Sequence, residues 1–383
     1  MKGRIRVLHL GKYYPPVSGG IETVLETLCR HERSSVETRA LVVNKAPGTR
    51  HETRDGVPVT RAGSMLSVGA VSLSPSLPYW LARARADVIV LHEPNPMALL
   101  AYAIVRPKTP LIVWYHSEVI RPMWRYRLFY HPFLELALRR ASRIVVASPP
   151  MRDVAALAAH RDRCVVIPYG LEVDRYAASS EVTGRAEALR RSAGAPILLF
   201  VGRLVRYKGL DVLLRALPGL DARAVLVGGG PLRRELEGLA SELGVRDRVQ
   251  FVGQVSDDER LSWYYAASAF VLPSVTRQEA FGMVQLEAMF CGRPVVSTDL
   301  PTGVPWVNEH GVTGLVARHG DVSSLRAALQ QLLADPALGR RLGASGHARV
   351  LREFTADRMS RAALSLYDDV AVGAASDVVP AAS

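Results

Sequence analysis

Cysteine is scarce in this chain: Cys29, Cys164 and Cys291 are the three among 383 residues, an odd number scattered in apolar surroundings. That excludes a disulfide framework and the clustering a structural metal needs, and it predicts reduced core thiols in a cytosolic protein. Long hydrophobic runs are missing as well, so no segment reaches the ~20 apolar residues of a spanning helix. The opening MKGRIRVLHL has too short an apolar core for a signal peptide and no cleavage site. No Asp-any-Asp pair stands at a strand end. Lysine nearly vanishes after residue 180: 22 of 23 basic residues there are arginine, and Lys208 is the exception. A lone Lys among arginines indicates a place that wants a compact ammonium rather than a planar fork.

What is present is ordinary globular composition, with 49% apolar and 22% charged residues, at a length that suits two domains. The net charge of +12 is lopsided. Residues 1–180 carry 25 Lys+Arg against 14 Asp+Glu, whereas residues 181–383 carry 23 against 22. A basic half predicts an anionic partner, whether nucleic acid, an anionic membrane surface or a phosphorylated ligand, with plain solubility as the alternative.

Short apolar runs alternate with helical periodicity throughout, the pattern of parallel βαβ units and an α/β fold. Strands are expected at 5–10, 38–43, 57–61, 88–92, 111–116, 144–147 and 165–167, then at 197–201, 224–227, 249–252, 270–272, 294–297 and 314–317. Helices are expected at 21–31, 322–334, 337–352 and 356–370, and 177–180 reads as a linker. Gly19-Gly20, directly before the first helix, lets backbone amides approach an anion, although a tight turn explains the same residues. His92 and His116 close apolar strands, where ligands of such sheets bind; His116, followed by Ser117-Glu118, is the stronger candidate.

The stretch PSVTRQEAFGMVQLEAMFCGRP (273–294) carries the densest signal. A strand ends, a polar loop follows, and a helix begins near Phe281-Gly282, so its first amides and dipole face a potential phosphate. Glu279 and Glu287 bracket seven residues, and like charge excludes them from the phosphate, which leaves sugar or ribose hydroxyls. Glu287 lies inside an apolar run where an unpaired carboxylate is costly. Gly282 offers close backbone approach to a ligand. Arg203 and Lys208 flank one loop after the strand at 197–201 and together suit a diphosphate. Residues 120–133 interleave aromatic and basic side chains, as an interfacial membrane segment does; a helix packed on its domain with an arginine rim is the rival reading.

Taken in order, PPVSGGIE (15–22), FVGRLVRYKG (200–209), VGGGP (227–231), FVGQVS (251–256), EAFGMVQLE (279–287) and GVTGL (311–315) make the chain resemble retaining glycosyltransferases of the GT-B fold, family four, over about residues 1–370. The resemblance implies two Rossmann-like domains facing each other across a deep cleft, with a C-terminal helix crossing back to the first. The boundaries expected are 1–176 for the acceptor domain, 185–354 for the nucleotide-sugar domain, 355–370 for the crossover helix and 371–383 for a disordered tail. It further implies that Glu279 contacts the donor sugar, with the amides of Phe281, Gly282, Met283 and Val284 beside sugar and phosphate. Glu287 would hold the ribose, Arg203 and Lys208 the departing diphosphate, Gly19 and Gly20 the donor phosphates, His116 the sugar and Val255 the base. Trp306, where an acid often stands, and Glu172, where an Asp is frequent, depart from the pattern and leave sugar specificity open.

The function so implied is transfer of a hexosyl unit, mannosyl from GDP-mannose as the best guess, to a glycan or lipid-linked acceptor in cell-surface polysaccharide or glycolipid synthesis. No cofactor or metal is expected, because Arg203 and Lys208 supply the positive charge, and no nucleic acid is expected as partner. A cytoplasmic location with peripheral contact to anionic membrane follows from the basic half. Two rivals stay open: a nucleotide-sugar epimerase or hydrolase on the same architecture, and a non-catalytic partner subunit.

Overall fold

The structure, a computed structural model, describes residues 4–17, 19–68, 71–118, 128 and 130–376. The chain divides into two compact units, Met1–Gly170 with Ala356–Ser383, and Leu171–Thr355.

The first unit is built on an eight-stranded sheet. Across it the strands run Cys164–Val166, Ala141–Val146, Leu111–Tyr115, Val88–Glu93, Arg6–Leu10, Glu37–Val43, Val57–Ala62 and Arg50–Arg54. All neighbours are parallel except the last pair, whose edge strand is antiparallel. Val88–Glu93 and Leu111–Tyr115 are buried along their whole length, which is why they read as unbroken apolar runs rather than alternating ones. The order reverses direction between Arg6–Leu10 and Val88–Glu93, so the loops leaving these two strands open at a topological switch point.

The second unit carries a six-stranded parallel sheet in the order Val249–Gly253, Arg223–Val227, Ile197–Val201, Ala269–Val271, Val295–Thr298, Gly314–Ala317. Its switch point lies between Ile197–Val201 and Ala269–Val271. The two loops that leave this point contain Lys208 and Glu279. Two of the helices around the sheet start on aspartate caps: Asp321 accepts from Ser324 N at 2.9 Å and Asp335 from Leu338 N at 2.9 Å, each worth about 1 kcal/mol.

Three expectations need adjustment. The segment read as a linker, 177–180, is non-helical as far as Ser179, which accepts from Val182 N at 3.2 Å and caps a helix not expected there, Ser180–Ala193. The last helix is Ala356–Ser376, so 371–376 are helical where a disordered tail was expected, and 377–383 lie outside the described residues. The strand Arg50–Arg54 was not foreseen, because an edge strand of charged and polar residues has no apolar alternation to betray it. No helix among the described residues is long and apolar enough to cross a membrane.

Candidate active site

In the second unit the chain leaves Ile197–Val201, makes one turn at Arg206–Lys208, and enters the helix Leu210–Ala216 through Gly209. Gly209 has φ +65°, and a Cβ there would meet the Pro273 carbonyl oxygen at 2.1 Å. Only glycine permits that approach. The Val275 amide then donates to the Tyr207 carbonyl at 2.9 Å, which fastens the two switch-point loops together. This seam brings Lys208 Nζ within 2.5 Å of Glu279 Oε2, and the same oxygen accepts from Ser274 Oγ at 3.0 Å. Both charged groups are buried, with side-chain exposures of 9% and 10%. Burial works against the Lys208 ammonium, but the Glu279 carboxylate outweighs it and holds the pKa above its ordinary value. Tyr207 lies beside the pair, its phenol pushed up by burial and moderated by Lys208 and Arg203. Arg203 is exposed, and its side chain makes no hydrogen bond or ion pair among the described residues.

After Glu279 the chain turns into the helix Met283–Phe290 at Gly282, which has φ +76°. A Cβ on Gly282 would sit 2.7 Å from Leu272 Cδ2, so its left-handed backbone and its packing already require glycine. Phe281 turns its ring inward, against Trp306 and Phe354. Trp306, the departure noted in sequence, belongs to this aromatic cluster, with the Arg349 guanidinium 5.8 Å from its ring centroid. Met283 and Val284 at the helix start are half-buried, as is Val255.

Glu287 has a setting of its own. Its Oε2 lies 3.7 Å from Arg260 Nε, and Tyr176 and Tyr264 face it. Burial raises the Glu287 pKa, while Arg260 and the two phenols pull it back. The carboxylate in the apolar run is therefore compensated, by residues of Val173–Tyr176 and Asp257–Ala266 that sequence reading did not single out. Nothing at 260 or 264 distinguishes those residues from any polar helix face, so only the folded contact reveals them. Glu172, the second departure, pairs with Arg175 at 2.8 Å.

Three expected site residues lie in the first unit. Gly19 precedes the helix Gly20–Glu32 in extended backbone, and a Cβ on it would collide with the Glu22 carboxylate. Glu22 folds back onto its own amide; burial raises its pKa and Lys12 and Lys45 lower it. The anion standing at this helix start is thus the chain's own carboxylate, and Gly20 is open around its Cα. His116 is buried, with both ring nitrogens engaged: Nδ1 with the Tyr169 hydroxyl at 2.7 Å and Nε2 with His92 Nδ1 at 2.9 Å. Burial pushes its pKa down to about 3. Named from sequence as a strand-end histidine near a sugar, it is in the free protein an inner member of a hydrogen-bonded chain.

Beside it stands Glu93, which sequence reading passed over. It is fully buried at the end of Val88–Glu93 and accepts from the Tyr130 hydroxyl and from Asn95 N at 3.0 Å. Burial pushes its pKa up to about 7, against those two donors. The three thiols are free, yet Cys29 is not isolated: its sulfur lies with His9 and Glu32, whose candidate ligand atoms all fall within 4.8 Å. Glu32 and His9 are bonded to each other there, so the group forms a hydrogen-bond junction. The aromatic and basic stretch at 120–133 falls mostly outside the described residues.

The arrangement in the second unit can neutralise a diphosphate with an ammonium and a guanidinium while a carboxylate next to them accepts from hydroxyls. Comparison with known proteins agrees with that chemistry. Residues 185–349 match the model of "Glycosyl transferases group 1" and residues 19–170 that of "Glycosyl transferase 4-like domain". The chain is 35% identical over 357 residues to the D-rhamnosyltransferase WbpZ of Pseudomonas aeruginosa, covering 92% of this chain and 93% of that one. It is 30% identical over 368 residues to the O-antigen chain mannosyltransferase C of Escherichia coli, covering 95% and 98%. Among solved structures, Anabaena Alr3699/HepE in complex with UDP shares the fold at a TM-score of 0.75 and 22% identity, over 95% of this chain and 100% of that one.

Proposed function

The chain belongs to the glycosyl transferases group 1 family, and from that premise we propose that it moves a hexosyl unit, mannosyl from GDP-mannose in our reading, from a nucleotide sugar to a glycan or lipid-linked acceptor, with retention at the anomeric carbon. The observation that carries this reading is the buried contact between Lys208 and Glu279 at the switch point, with the unpaired Arg203 on the same loop. The names of the two relatives, one a rhamnosyl- and one a mannosyltransferase, support the choice of donor class.

The chemistry follows from charge. As the bond from the anomeric carbon to the diphosphate breaks, negative charge gathers on the phosphate oxygens and positive charge on the sugar. Lys208 and Arg203 stabilise the first change, and removing one such preorganised group costs roughly 10²–10³ in rate. Because these two cations supply the charge, the proposed reaction needs no metal. Glu279 accepts from donor hydroxyls, and when a diphosphate takes over the ammonium, the carboxylate is released from Lys208 to do so. Glu287 accepts from the ribose hydroxyls, with Arg260 keeping it ionised. Val255 lies against the base.

A thermal-shift panel of nucleotide sugars and nucleoside diphosphates tests the donor, since a ligand of the folded state stabilises by mass action. GDP and GDP-mannose should give the largest shifts; a preference for UDP or ADP compounds replaces the donor while leaving the family. Nucleotide release without acceptor favours the hydrolase rival. The basic first half supports peripheral contact with anionic membrane at its cytoplasmic face, and failure to bind anionic liposomes at low salt removes that part alone.

A further inference from the structure

Register places three histidines of the first unit on one face of the sheet. His9 pairs with Val90, His92 pairs with Trp114, and His116 follows Trp114 by two residues. Paired residues of parallel strands share a face, and so do residues two apart. Three imidazoles from three adjacent strands therefore step diagonally across the sheet, each one within reach of the next.

They are joined end to end. His9 Nδ1 meets His92 Nε2 at 3.0 Å, His92 Nδ1 meets His116 Nε2 at 2.9 Å, and His116 Nδ1 meets the Tyr169 hydroxyl at 2.7 Å. At the other end His9 Nε2 is bonded to Glu32 Oε1, which also accepts from Thr38 Oγ1 at 3.0 Å. Glu32, His9 and His92 are buried to 0%, 0% and 1% exposure. The other neighbours are Trp114, stacked on His92 and His116, Tyr367, edge-on to His9, and the Cys29 thiol. Burial, first of all, holds the Cys29 and Tyr367 protons in place, with Glu32 adding to both effects.

Such a chain has a direction. A carboxylate only accepts, so His9 donates through Nε2. A neutral imidazole has one N–H and one lone pair, so His9 Nδ1 accepts, His92 donates through Nε2 and accepts at Nδ1, and His116 does the same. The Tyr169 hydroxyl then donates to His116 Nδ1. An extra proton on His9 would reverse every bond and turn His116 Nδ1 into a donor. Thr38 works against that reversal, because its hydroxyl already donates to Glu32 Oε1 and shares the load of satisfying that oxygen. Burial likewise keeps His92 and His116 neutral, pushing both pKa values down.

We propose that Glu32, His9 and His92 are positioning residues, a one-way hydrogen-bond relay that locks His116 as the Nε2–H tautomer and leaves Nδ1 as its accepting atom. Tyr169 fills that lone pair in the free protein. A donor-sugar hydroxyl that displaces it would be accepted by His116, which binds as a hydrogen-bond acceptor and not as an acid or a general base. The consequence for turnover rests on the glycosyltransferase reading; the tautomers do not.

The test is imidazole ¹⁵N–¹H correlation spectroscopy on the full-length protein at pH 7. His9, His92 and His116 should each show a protonated, pyrrole-like Nε2 and a bare, pyridine-like Nδ1. Protonated Nδ1 on His92 or His116, or an imidazolium at His9, overturns the proposal. Glu32→Leu should mix the tautomers at His116 and lower kcat roughly tenfold at unchanged donor KM, in the range seen when an orienting partner is lost. Glu32→Gln, which can still accept from His9, should restore both. If Glu32→Leu does not fold, Tyr169→Phe serves from the other end: it should shift the His116 Nδ1 resonance and leave Nε2 protonated, and an unchanged Nδ1 refutes the chain. Wild-type spectra of the predicted pattern in a protein without transferase activity would remove the glycosyl reading and leave the relay standing.

Discussion

Both units carry a parallel sheet with a switch point, and they treat polar groups there in opposite ways. The first unit buries a file of imidazoles between a carboxylate and a phenol, each hydrogen-bonded to the next. The second unit buries the full charges of Lys208 and Glu279, sets a half-buried Arg260 near Glu287, and leaves the Arg203 side chain in solvent with no partner among the described residues. A chain of mutually satisfied imidazoles fixes geometry through directed hydrogen bonds rather than through ion pairs. Paired charges cost desolvation and contribute little net stability, yet they stand ready to exchange one partner for a charged ligand. The difference teaches where to look for binding energy: in the unit whose charges are held in place but not fully satisfied.

The largest effect should come from breaking the buried pair. Lys208→Ala leaves the Glu279 carboxylate buried without its cation, which costs about 3–5 kcal/mol of unfolding free energy, read by denaturant titration. Adding Glu279→Gln to that variant should recover most of the stability and none of the activity. If the double variant is no more stable than the single one, the two groups are not energetically paired.

A pH titration probes the first unit. The Glu93 pKa is raised from 4.5 to about 7 in the fold, so its contribution is fully present below about pH 4.5 and disappears as pH rises through 7. The size is about 3 kcal/mol, at 1.36 kcal/mol per pKa unit. Unfolding free energy measured from pH 4.5 to 8 should therefore lose its Glu93 share, and Glu93→Gln should flatten that part of the slope. An identical slope in the variant would show that the carboxyl titrates normally.

Arg203→Ala sharpens the contrast between binding and stability. The side chain is exposed and unpaired, so stability should change by less than about 0.5 kcal/mol while turnover falls by roughly 10². A smaller effect is expected at Arg260→Ala, which frees the Glu287 pKa to rise and should weaken nucleoside diphosphate binding about tenfold. Calorimetry with GDP reads that loss; unchanged affinity would remove Glu287 from the ribose.

Much of this architecture was legible in the residues. The strands Ile197–Val201 and Gly314–Ala317 and the helix Val322–Ala334 lie where periodicity places them, because buried parallel strands and amphipathic helices write their burial into local sequence. Lys208 and Glu279 could be named as candidates, but their contact, 71 residues apart in the chain, needed the Gly209 seam to become visible. The relay was hidden for the same reason. His9 and His92 are 83 residues apart, and Glu32 looks like any acid near the end of a helix. Strand register alone brings them together. His116 was found as a residue but without its partners, since sequence shows a strand end without showing what already occupies the ring.

The account turns on Lys208 meeting the diphosphate of a nucleotide donor. Isothermal titration of GDP into the wild-type protein and into the Lys208→Ala, Glu279→Gln double variant measures that most directly. The predicted result is nucleotide binding by the wild type and at least tenfold weaker binding, about 1.4 kcal/mol, in a variant that still folds. Equal affinity in the two proteins for GDP, and for UDP and ADP tried in turn, would contradict it.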